Sequence, residues 1–373
     1  MIAKAIAIIL LLIIVPDVFL WYRFLRKKRW LIQTLWFVPC LLFLTATILF
    51  ALGRDFVPDD MTWLNVYLMA FGLLVVPKLF VAIGSLFGKQ GRLVGLALVP
   101  VVWFVVLYGS FVGNHRFEVK QVELSFRDLP ASFDGYRLVQ FSDIHLGSMD
   151  SLFLKMVVDS INAQKADLVV FTGDMQNKQP SEVDPFVNQL KRVKAKDGVF
   201  SIMGNHDYAY YIDKSTPPPV RYAQERQLVR KQQDMGWKLL MNSWCKLKRG
   251  NDSIIISGME NDGEGPFPQE GDINQALSGV ARNEFIVMLE HDPSAWKRKI
   301  MRECHAQLTL SGHTHGMQFE LFGWSPLTLL NKECDGLYHV GPRYLYVSKG
   351  VGGVVPFRFG ATPEIVVITL RKE

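Results

Sequence analysis

Four apolar stretches in the first 112 residues constrain this chain more than any other feature. They cover residues 5–22, 30–52, 62–87 and 93–112, and each is close to the about 20 residues that a membrane-spanning helix needs. Four in succession with short polar connections favour a transmembrane bundle over the buried helices of a water-soluble core. The basic stretch RFLRKKR follows the first segment where a signal peptide would have its cleavage site, which indicates an uncleaved anchor.

The positive charge of the chain is concentrated in this part. Residues 1–112 hold ten of the 41 Lys and Arg and four of the 35 Asp and Glu, so the remainder is balanced. A domain without a basic excess lacks the electrostatic field that nucleic-acid binding needs. We therefore predict a membrane protein with no nucleic-acid partner.

The distribution of charge among the loops predicts an orientation. Residues 23–29 carry five basic side chains, and Lys89 and Arg92 lie between the third and fourth spans. The loop between the second and third spans, GRDFVPDD, has one Arg and three Asp. The positive-inside rule places the two basic loops in the cytoplasm. With four spans, everything after residue 112 is then expected outside the cytoplasm.

Two ionisable residues, Asp17 and Lys78, fall inside predicted spans, each directly after a proline. A charged group at that depth costs roughly 2.5–3.5 kcal/mol, so such residues usually pair or line a cavity. We predict that these two side chains pair with each other.

The sequence after residue 135 predicts an α/β domain. From residue 136 onward, short β-branched and aromatic runs alternate with longer mixed segments, and 151–163 and 184–194 are helix candidates. The strand-like runs are YRLVQFSD, ADLVVFTGD, GVFSIMGN, SIIISGME, EFIVMLEHD, AQLTLSGH, YLYVSKG and EIVVITL. We expect a membrane anchor over 1–112, a linker over 113–134 and a folded domain over 135–373.

Metal-ligand side chains follow five of these runs. In chain order they are Asp143 and His145, then Asp174, then Asn205 with His206 and Asp207, then His291, and finally His313 and His315. Ligands of open α/β sheets bind beyond the carboxyl ends of the strands. Each motif alone also fits a turn or a helix cap, and an Asn after Gly is a frequent turn residue. Their coincidence favours a shared site.

The spacing of the last two histidines points to metal ions. In an extended loop, residues i and i+2 face the same side, so His313 and His315 can enter one pocket, as can Asp143 and His145. Two imidazoles so close together suit two ions better than one. Carboxylate, amide and imidazole ligands without thiolate suit Mn, Fe or Zn in a catalytic site.

The ordered set DxH–GD–GNHD–H–GHxH resembles the calcineurin-like metallophosphoesterase superfamily over about residues 135–371. The closing YLYVSKGVGG and RFGATPEIVVITL are similar to its membrane-associated bacterial branch. Met317 stands where that branch usually has a second glycine, at the rim of the expected pocket. The resemblance implies an αββα two-sheet sandwich after the all-α transmembrane bundle.

The resemblance also implies a ligand set and a mechanism. One divalent ion would be held by Asp143, His145 and His315, and a second by Asn205, His291 and His313, with Asp174 bridging both. A hydroxide between the ions would attack phosphorus, while His206 would face the phosphate and protonate the leaving group. Asp207 would orient the His206 ring or cap a helix, and both readings are open.

Membrane attachment favours a lipid or cell-envelope substrate, hydrolysed as a phosphodiester, phosphomonoester or diphosphate. One alternative is a cytoplasmic-facing pyrophosphatase of a nucleotide–lipid such as UDP-2,3-diacylglucosamine. Another is a transporter or sensor whose phosphoesterase domain is regulatory. The basic segment 221–237 is typical of a solvated helix face, or of a helix that lies on headgroups or covers the pocket, and the loop 259–272 is expected at the substrate rim.

Overall fold

The computed structural model describes residues 2–52, 61–212, 216–329 and 332–373, and the acidic loop GRDFVPDD lies outside them. The chain forms two compact units, Met1–Val112 and Gly113–Glu373. The first contains α1 (Ile2–Leu20), continued by a π-helical turn (Trp21–Leu25), then α2 (Trp30–Leu52), α3 (Met61–Leu86) and α4 (Gly88–Phe111).

All four predicted spans are helices that are long and apolar enough to cross a membrane. The predicted start of the last one is wrong, because α4 begins at Gly88 and includes Lys89 and Arg92. Only Phe87 separates it from α3. A helix of 24 residues is about 36 Å long, which exceeds the hydrocarbon thickness, so its first turns can carry charges at the headgroup level.

The intramembrane ion pair predicted from the sequence is confirmed. Lys78 Nζ lies 2.6 Å from Asp17 Oδ1, and the Asp17 side chain is buried. Trp36 completes the arrangement, since its ring lies 4.6 Å from Lys78 Nζ and its indole nitrogen donates to the Asp17 carbonyl. The two charges therefore neutralise each other within the bundle.

The described residues of the second unit form twelve strands and five α-helices. The strands are β1 (Glu118–Phe126), β2 (Tyr136–Phe141), β3 (Leu168–Phe171), β4 (Val199–Ser201), β5 (Lys238–Leu239), β6 (Ser243–Arg249), β7 (Asp252–Gly258), β8 (Phe285–Leu289), β9 (Leu308–Ser311), β10 (Gly336–Val340), β11 (Arg343–Val347) and β12 (Glu364–Lys372). The helices are α5 (Ser151–Ala163), α6 (Val187–Leu190), α7 (Pro218–Asp234), α8 (Ile273–Ala276) and α9 (Met301–Glu303).

The strands form two mixed six-stranded sheets. Their orders are β1-β12-β2-β3-β4-β5 and β10-β11-β9-β8-β7-β6. In the first sheet β2 to β5 run parallel, and in the second β7, β8, β9 and β11 do. Strand β12 is antiparallel to β2, and β6 and β10 are antiparallel to their neighbours. The carboxyl ends of the parallel strands therefore share one edge in each sheet.

Alternation along the strands builds a four-layer core. Leu168 and Val170 of β3 belong to the apolar cluster shared with the second sheet, while Val169 and Phe171 pack toward the helices of the first sheet. A third cluster covers the outer face of the second sheet and includes Trp296. These layers confirm the predicted αββα sandwich after four apolar helices.

Two expectations about individual segments change. The segment 113–134, expected to be a linker, contains β1, which pairs in parallel with β12 from Glu118 to Phe126. Helix 151–163 is confirmed as α5. The predicted helix 184–194 is shorter, because a 3₁₀ helix over Pro180–Phe186 precedes the four-residue α6.

Candidate metal centre

The structure brings all seven predicted ligands together at the carboxyl ends of β2, β3, β4, β8 and β9. The donor atoms form two groups whose members all lie within 4.8 Å of one another. The first group is Asp143, His145, Asp174 and His315, and the second is Asp174, His291 and His313. Asp174 belongs to both, which is the arrangement that a ligand bridging two ions requires.

Imidazole nitrogens and carboxylate oxygens converge in the first group. His145 Nε2 lies 3.1 Å from His315 Nε2 and 3.6 Å from Asp174 Oδ2. His315 Nε2 lies 3.3 Å from Asp143 Oδ1. His145, Asp143 and Asp174 are buried, so these atoms face one another in a nearly closed space.

Asn205 completes the second group. Its Oδ1 lies 2.7 Å from His313 Nδ1 and 3.2 Å from His291 Nε2, and His291 Nε2 lies 3.2 Å from Asp174 Oδ2. The Asn205 amide nitrogen donates to the hydroxyl of Tyr211 at 2.8 Å, which turns Oδ1 toward the histidines. Tyr211 is a site residue that the sequence did not reveal.

Hydrogen bonds also settle which nitrogen of His291 faces the centre. His291 Nδ1 lies 2.7 Å from the Thr172 carbonyl oxygen, which can only accept, so Nδ1 carries the proton. Nε2 is therefore the nitrogen that faces the centre. Although burial lowers the pKa of His291, Asp174 raises it to about 10, so a metal ion that binds Nε2 must displace its proton. A carbonyl partner of this kind orients many metal-binding imidazoles.

His206 and Asp207 lie beside the ligand groups, and of the two readings left open for Asp207 the contacts support the capping one. His206 Nδ1 lies 2.6 Å from the Asn177 carbonyl oxygen, and its ring stacks on Tyr211. The carboxylate of Asp207 instead accepts backbone N–H groups of Asp174, Met175, Gln176 and Gly204, at 2.9, 2.9, 3.3 and 2.9 Å. Asp207 thus does not orient the His206 ring, and it ties the loop of the shared ligand Asp174 to the GNHD turn.

Five of the seven ligand residues have a left-handed backbone. Their φ angles are +54° for Asp143, +51° for His145, +61° for Asp174, +74° for His313 and +52° for His315. This conformation costs a non-glycine residue roughly 1–2 kcal/mol, because Cβ approaches the following carbonyl. Strained residues of this kind concentrate at functional sites, where the surrounding fold holds them in place.

Neighbouring glycines leave room for these turns. A Cβ on Gly173 would lie 2.7 Å from His291 Nδ1, and a Cβ on Gly350 would lie 2.6 Å from Asp143 Cβ. Both distances are shorter than any ordinary carbon contact. Side chains at these two positions would displace metal-ligand residues, so glycine is required by the packing of the site.

Burial and charge prepare the ligands for a cation. Burial, and then the nearby positive charge of His206, lower the pKa of His145 to about 3, so this imidazole is neutral. Burial alone would raise the pKa of Asp174, but His291 and His206 hold it well below its ordinary value. The pKa of Asp143 rises to about 7, first because of burial. Imidazoles, carboxylates and an amide oxygen without thiolate are a donor set that fits divalent Mn, Fe or Zn.

Two further residues lie at the centre that were not predicted individually, although Arg358 opens the stretch RFGATPEIVVITL and Phe267 lies in the loop 259–272. Arg358 is fully buried, donates from Nη1 to the His315 carbonyl at 3.1 Å, and places Nη2 3.2 Å from His315 Nδ1. Phe267, from the predicted rim loop, meets His313 edge to face with a centroid distance of 4.7 Å. Met317 lies outside the ligand groups and is half exposed.

Comparison with known proteins agrees with this geometry. The family described as calcineurin-like phosphoesterase matches residues 136–317. The uncharacterized metallophosphoesterase YkuE of Bacillus subtilis is 30% identical over 272 residues, which cover 71% of this chain and 89% of YkuE. The chain belongs to the calcineurin-like phosphoesterases. It is therefore a hydrolase of the metallophosphoesterase family.

Two relatives extend the comparison to membranes and lipids. A transmembrane protein with a metallophosphoesterase domain from Danio rerio is 32% identical over 291 residues, covering 74% of this chain and 62% of the relative. The UDP-2,3-diacylglucosamine pyrophosphatase LpxG of Chlamydia muridarum is 27% identical over 295 residues, covering 67% of this chain and 88% of LpxG. The four apolar helices of this metallophosphoesterase and its transmembrane relative together indicate a membrane protein.

Proposed function

We propose that this enzyme hydrolyses a phosphoester of a membrane lipid or cell-envelope molecule, with two divalent ions held by the two ligand groups. The observation that carries the proposal is Asp174, whose carboxylate belongs to both groups. Asp143, His145 and His315 would complete the first ion site, and Asn205, His291 and His313 the second. Ions bound there would polarise the phosphoryl group and lower the pKa of a water molecule.

His206 is the proposed acid for the leaving group. Its Nδ1 is fixed on the Asn177 carbonyl, so its Nε2 is the nitrogen that can exchange a proton with substrate. The ring lies 4.8 Å from the His145 ring, between centroids, which places it beside the first ligand group. The His206 backbone N–H donates to Asp174 Oδ1 at 2.9 Å and so couples the position of the acid to the shared ligand.

A lipid diphosphate is the second candidate within this class. LpxG, the Chlamydia muridarum relative, is named as a pyrophosphatase of UDP-2,3-diacylglucosamine, so a related chain acts on a nucleotide–lipid. That substrate would be met on the cytoplasmic side, whereas the positive-inside pattern supports an extracytoplasmic catalytic unit. A reporter enzyme fused after residue 373 would decide between the two sides.

Hydrolysis of bis-p-nitrophenyl phosphate and p-nitrophenyl phosphate tests the proposal. The full chain, stripped of metal, would be supplied with Mn, Fe, Zn or Mg. We expect metal-dependent hydrolysis, and the ratio of the two rates separates a diesterase from a monoesterase. Loss of a hydrogen-bond partner of a metal ligand lowers activity by about 10–100-fold. Asp174→Asn changes the proposed ligand itself, so it should lower the rate by more than this. His206→Ala should lower kcat by about 10²–10⁴-fold and leave the bound metal unchanged. Wild-type protein that binds no divalent ion would refute the proposal.

A further inference from the structure

A small apolar hairpin follows the metal ligands of the GHTHG motif. Leu321 and Trp324 exchange two backbone hydrogen bonds, at 2.8 and 3.0 Å, around Phe322 and Gly323. Both central residues have positive φ, +52° and +78°, as in the tight turns that join two strands. We call residues 321–324 the apolar hairpin.

The side chains of the apolar hairpin face water. Phe322 at its tip is 99% exposed, and Leu321 and Trp324 are 45% and 48% exposed. Leu329, a few residues later, is 76% exposed. A phenylalanine with left-handed φ and no packing partner contributes nothing to the stability of the fold. Exposed apolar clusters of this kind mark surfaces that bind another apolar phase.

The base of the apolar hairpin is held firmly. Phe319 stacks on Phe359, and the Glu320 N–H donates to the Phe359 carbonyl at 2.7 Å. The Gln318 side-chain amide donates to the carbonyls of Val355 and Phe357. Gln318 also ends the 3₁₀ turn that begins with the metal-ligand residue His315. The tip is therefore a projecting feature of the site itself.

The loop that holds this base lies where the polypeptide enters the domain. Asn114 and His115, which follow α4 in the chain, line one small pocket with Gly353 and Pro356. Gly353 is also adjacent to the Gln318 amide. The base of the apolar hairpin is thus near Asn114 and His115, at the start of the second unit.

Lys332, eight residues after Trp324 in the chain, lines a cleft that has a basic excess and that we call the basic cleft. The cleft has a volume of about 310 Å³, and its charged lining residues are Lys297, Arg298, Arg302, Lys332, Glu264 and Glu333. Arg298 pairs with Asp262 at 2.9 Å, and Lys297 pairs with Glu333. Within the described residues, Arg302 and Lys332 form no ion pair, so two cations of the cleft face solvent. Residues 321–331, which precede Lys332, carry no charge.

We propose that the apolar hairpin inserts into the surface of a bilayer while the basic cleft binds an anionic lipid headgroup. Aromatic side chains on a convex tip suit the membrane interface, and adjacent Lys and Arg suit anionic lipid. A second copy of the chain is less suited, because a two-residue tip offers little of the flat area that protein interfaces bury. The inference rests on the proposed function, since it places the metal centre beside the lipid phosphoesters on which that centre would act.

Photo-crosslinking of the full chain in liposomes tests the inference. A photoreactive benzoylphenylalanine would replace Phe322 or, as a control, Val340, which is 46% exposed at the opposite end of the second sheet. We expect at least about tenfold more lipid adduct from position 322 than from 340, because burial of a phenylalanine ring shifts its partition by that factor or more. Adduct to a second copy, or equal adduct at both positions, would overturn the inference.

The headgroup is tested with liposomes of phosphatidylcholine with or without phosphatidylglycerol. Phosphatidylglycerol should increase the adduct at position 322, and Arg302→Glu with Lys332→Glu should reduce that increase by about fivefold or more. An increase that survives both charge reversals would contradict the role of the cleft. Hydrolysis of bis-p-nitrophenyl phosphate by the same preparations reports the proposed function separately. Intact hydrolysis without lipid adduct refutes only the docking surface, and lipid adduct without hydrolysis refutes only the phosphoesterase chemistry.

Discussion

Replacement of Asp207 by asparagine tests whether this carboxylate supports the backbone around Asp174 or orients the His206 ring. In the structure each carboxylate oxygen accepts two backbone N–H groups, Oδ2 from Asp174 and Gly204 and Oδ1 from Met175 and Gln176. Asparagine keeps the shape but presents an NH₂ group to one of these pairs. Two buried N–H donors then lose their acceptor, whichever way the amide is turned.

The expected cost follows from those two donors. An unsatisfied buried donor costs about 1–3 kcal/mol, so loss of two acceptors in Asp207→Asn should destabilise the domain by about 2–6 kcal/mol. For a domain of this size that is a fall of roughly 4–24 °C in the unfolding midpoint. Thermal unfolding of the full chain in detergent, with metal removed, measures it. Metal affinity should fall as well, because the same bonds position Asp174.

Asp272→Asn is the matched control. Asp272 also accepts two backbone N–H groups, from Asn274 and Gln275, but at an exposed helix start where asparagine caps equally well. Its midpoint should stay within about 2 °C of the wild-type value. The unfolding midpoint of Asp207→Asn could instead stay as close to wild type as that of the control while kcat falls as much as in His206→Ala. That result would refute the role of Asp207 in supporting the backbone and would favour a role in orienting His206.

Three other predictions concern the ligands and the bundle. Burial raises the pKa of Asp143 to about 7, and Asp174 raises that of His291 to about 10 against the effect of its burial, so a divalent ion must displace a proton from each group that still holds one. Metal affinity should therefore fall about tenfold per pH unit as the pH falls from 8.5 to 7 and more steeply below 7, as titration calorimetry from pH 5.5 to 8.5 would show. Gly350→Ala and Gly279→Ala both place alanine at a left-handed φ, +74° and +78°. The new Cβ would contact Asp143 at position 350 and no atom at position 279. Only Gly350→Ala should therefore reduce the metal content of the purified protein. Asp17→Asn or Lys78→Met alone should destabilise the bundle by about 3–5 kcal/mol, because each leaves the other charge buried without a partner. The double variant should be destabilised by less than either single variant, as measured by thermal aggregation in nanodiscs. A double variant that loses as much stability as a single variant, or the sum of both, would refute the ion pair.

The strands that the sequence predicted and those it did not differ in burial. The eight predicted strands occupy the interior of the two sheets, where both faces are covered and the residues form continuous apolar runs. The four others, β1, β5, β6 and β10, are the sheet edges. Strand β6, SWCKLKR, is half exposed and alternates basic with apolar residues, so its pattern is weak. Edge strands owe their pairing to a neighbour that hydropathy does not reveal.

The residues of the candidate site also divide into those that the sequence predicted and those that it did not. The seven proposed ligands could be selected from the sequence because each follows a buried strand and has a chemistry that metals select. Tyr211 and Arg358 act by orienting or supporting ligands, and a tyrosine in a loop or an arginine near the C-terminus has no distinctive spacing. Asp207 was found by its motif, but its contacts depend on where the backbone of β3 ends, which only the fold determines.

The left-handed ligand residues have a consequence for how such a site can be lost in evolution. At Asp143, Asp174 and His313, glycine would relieve backbone strain and remove a metal ligand in one substitution. While the enzyme is under selection for activity, that substitution is harmful. In a descendant released from this selection it becomes the change that most favours the fold, so glycine at these positions should be an early and recognisable sign of a related chain that has become a pseudoenzyme.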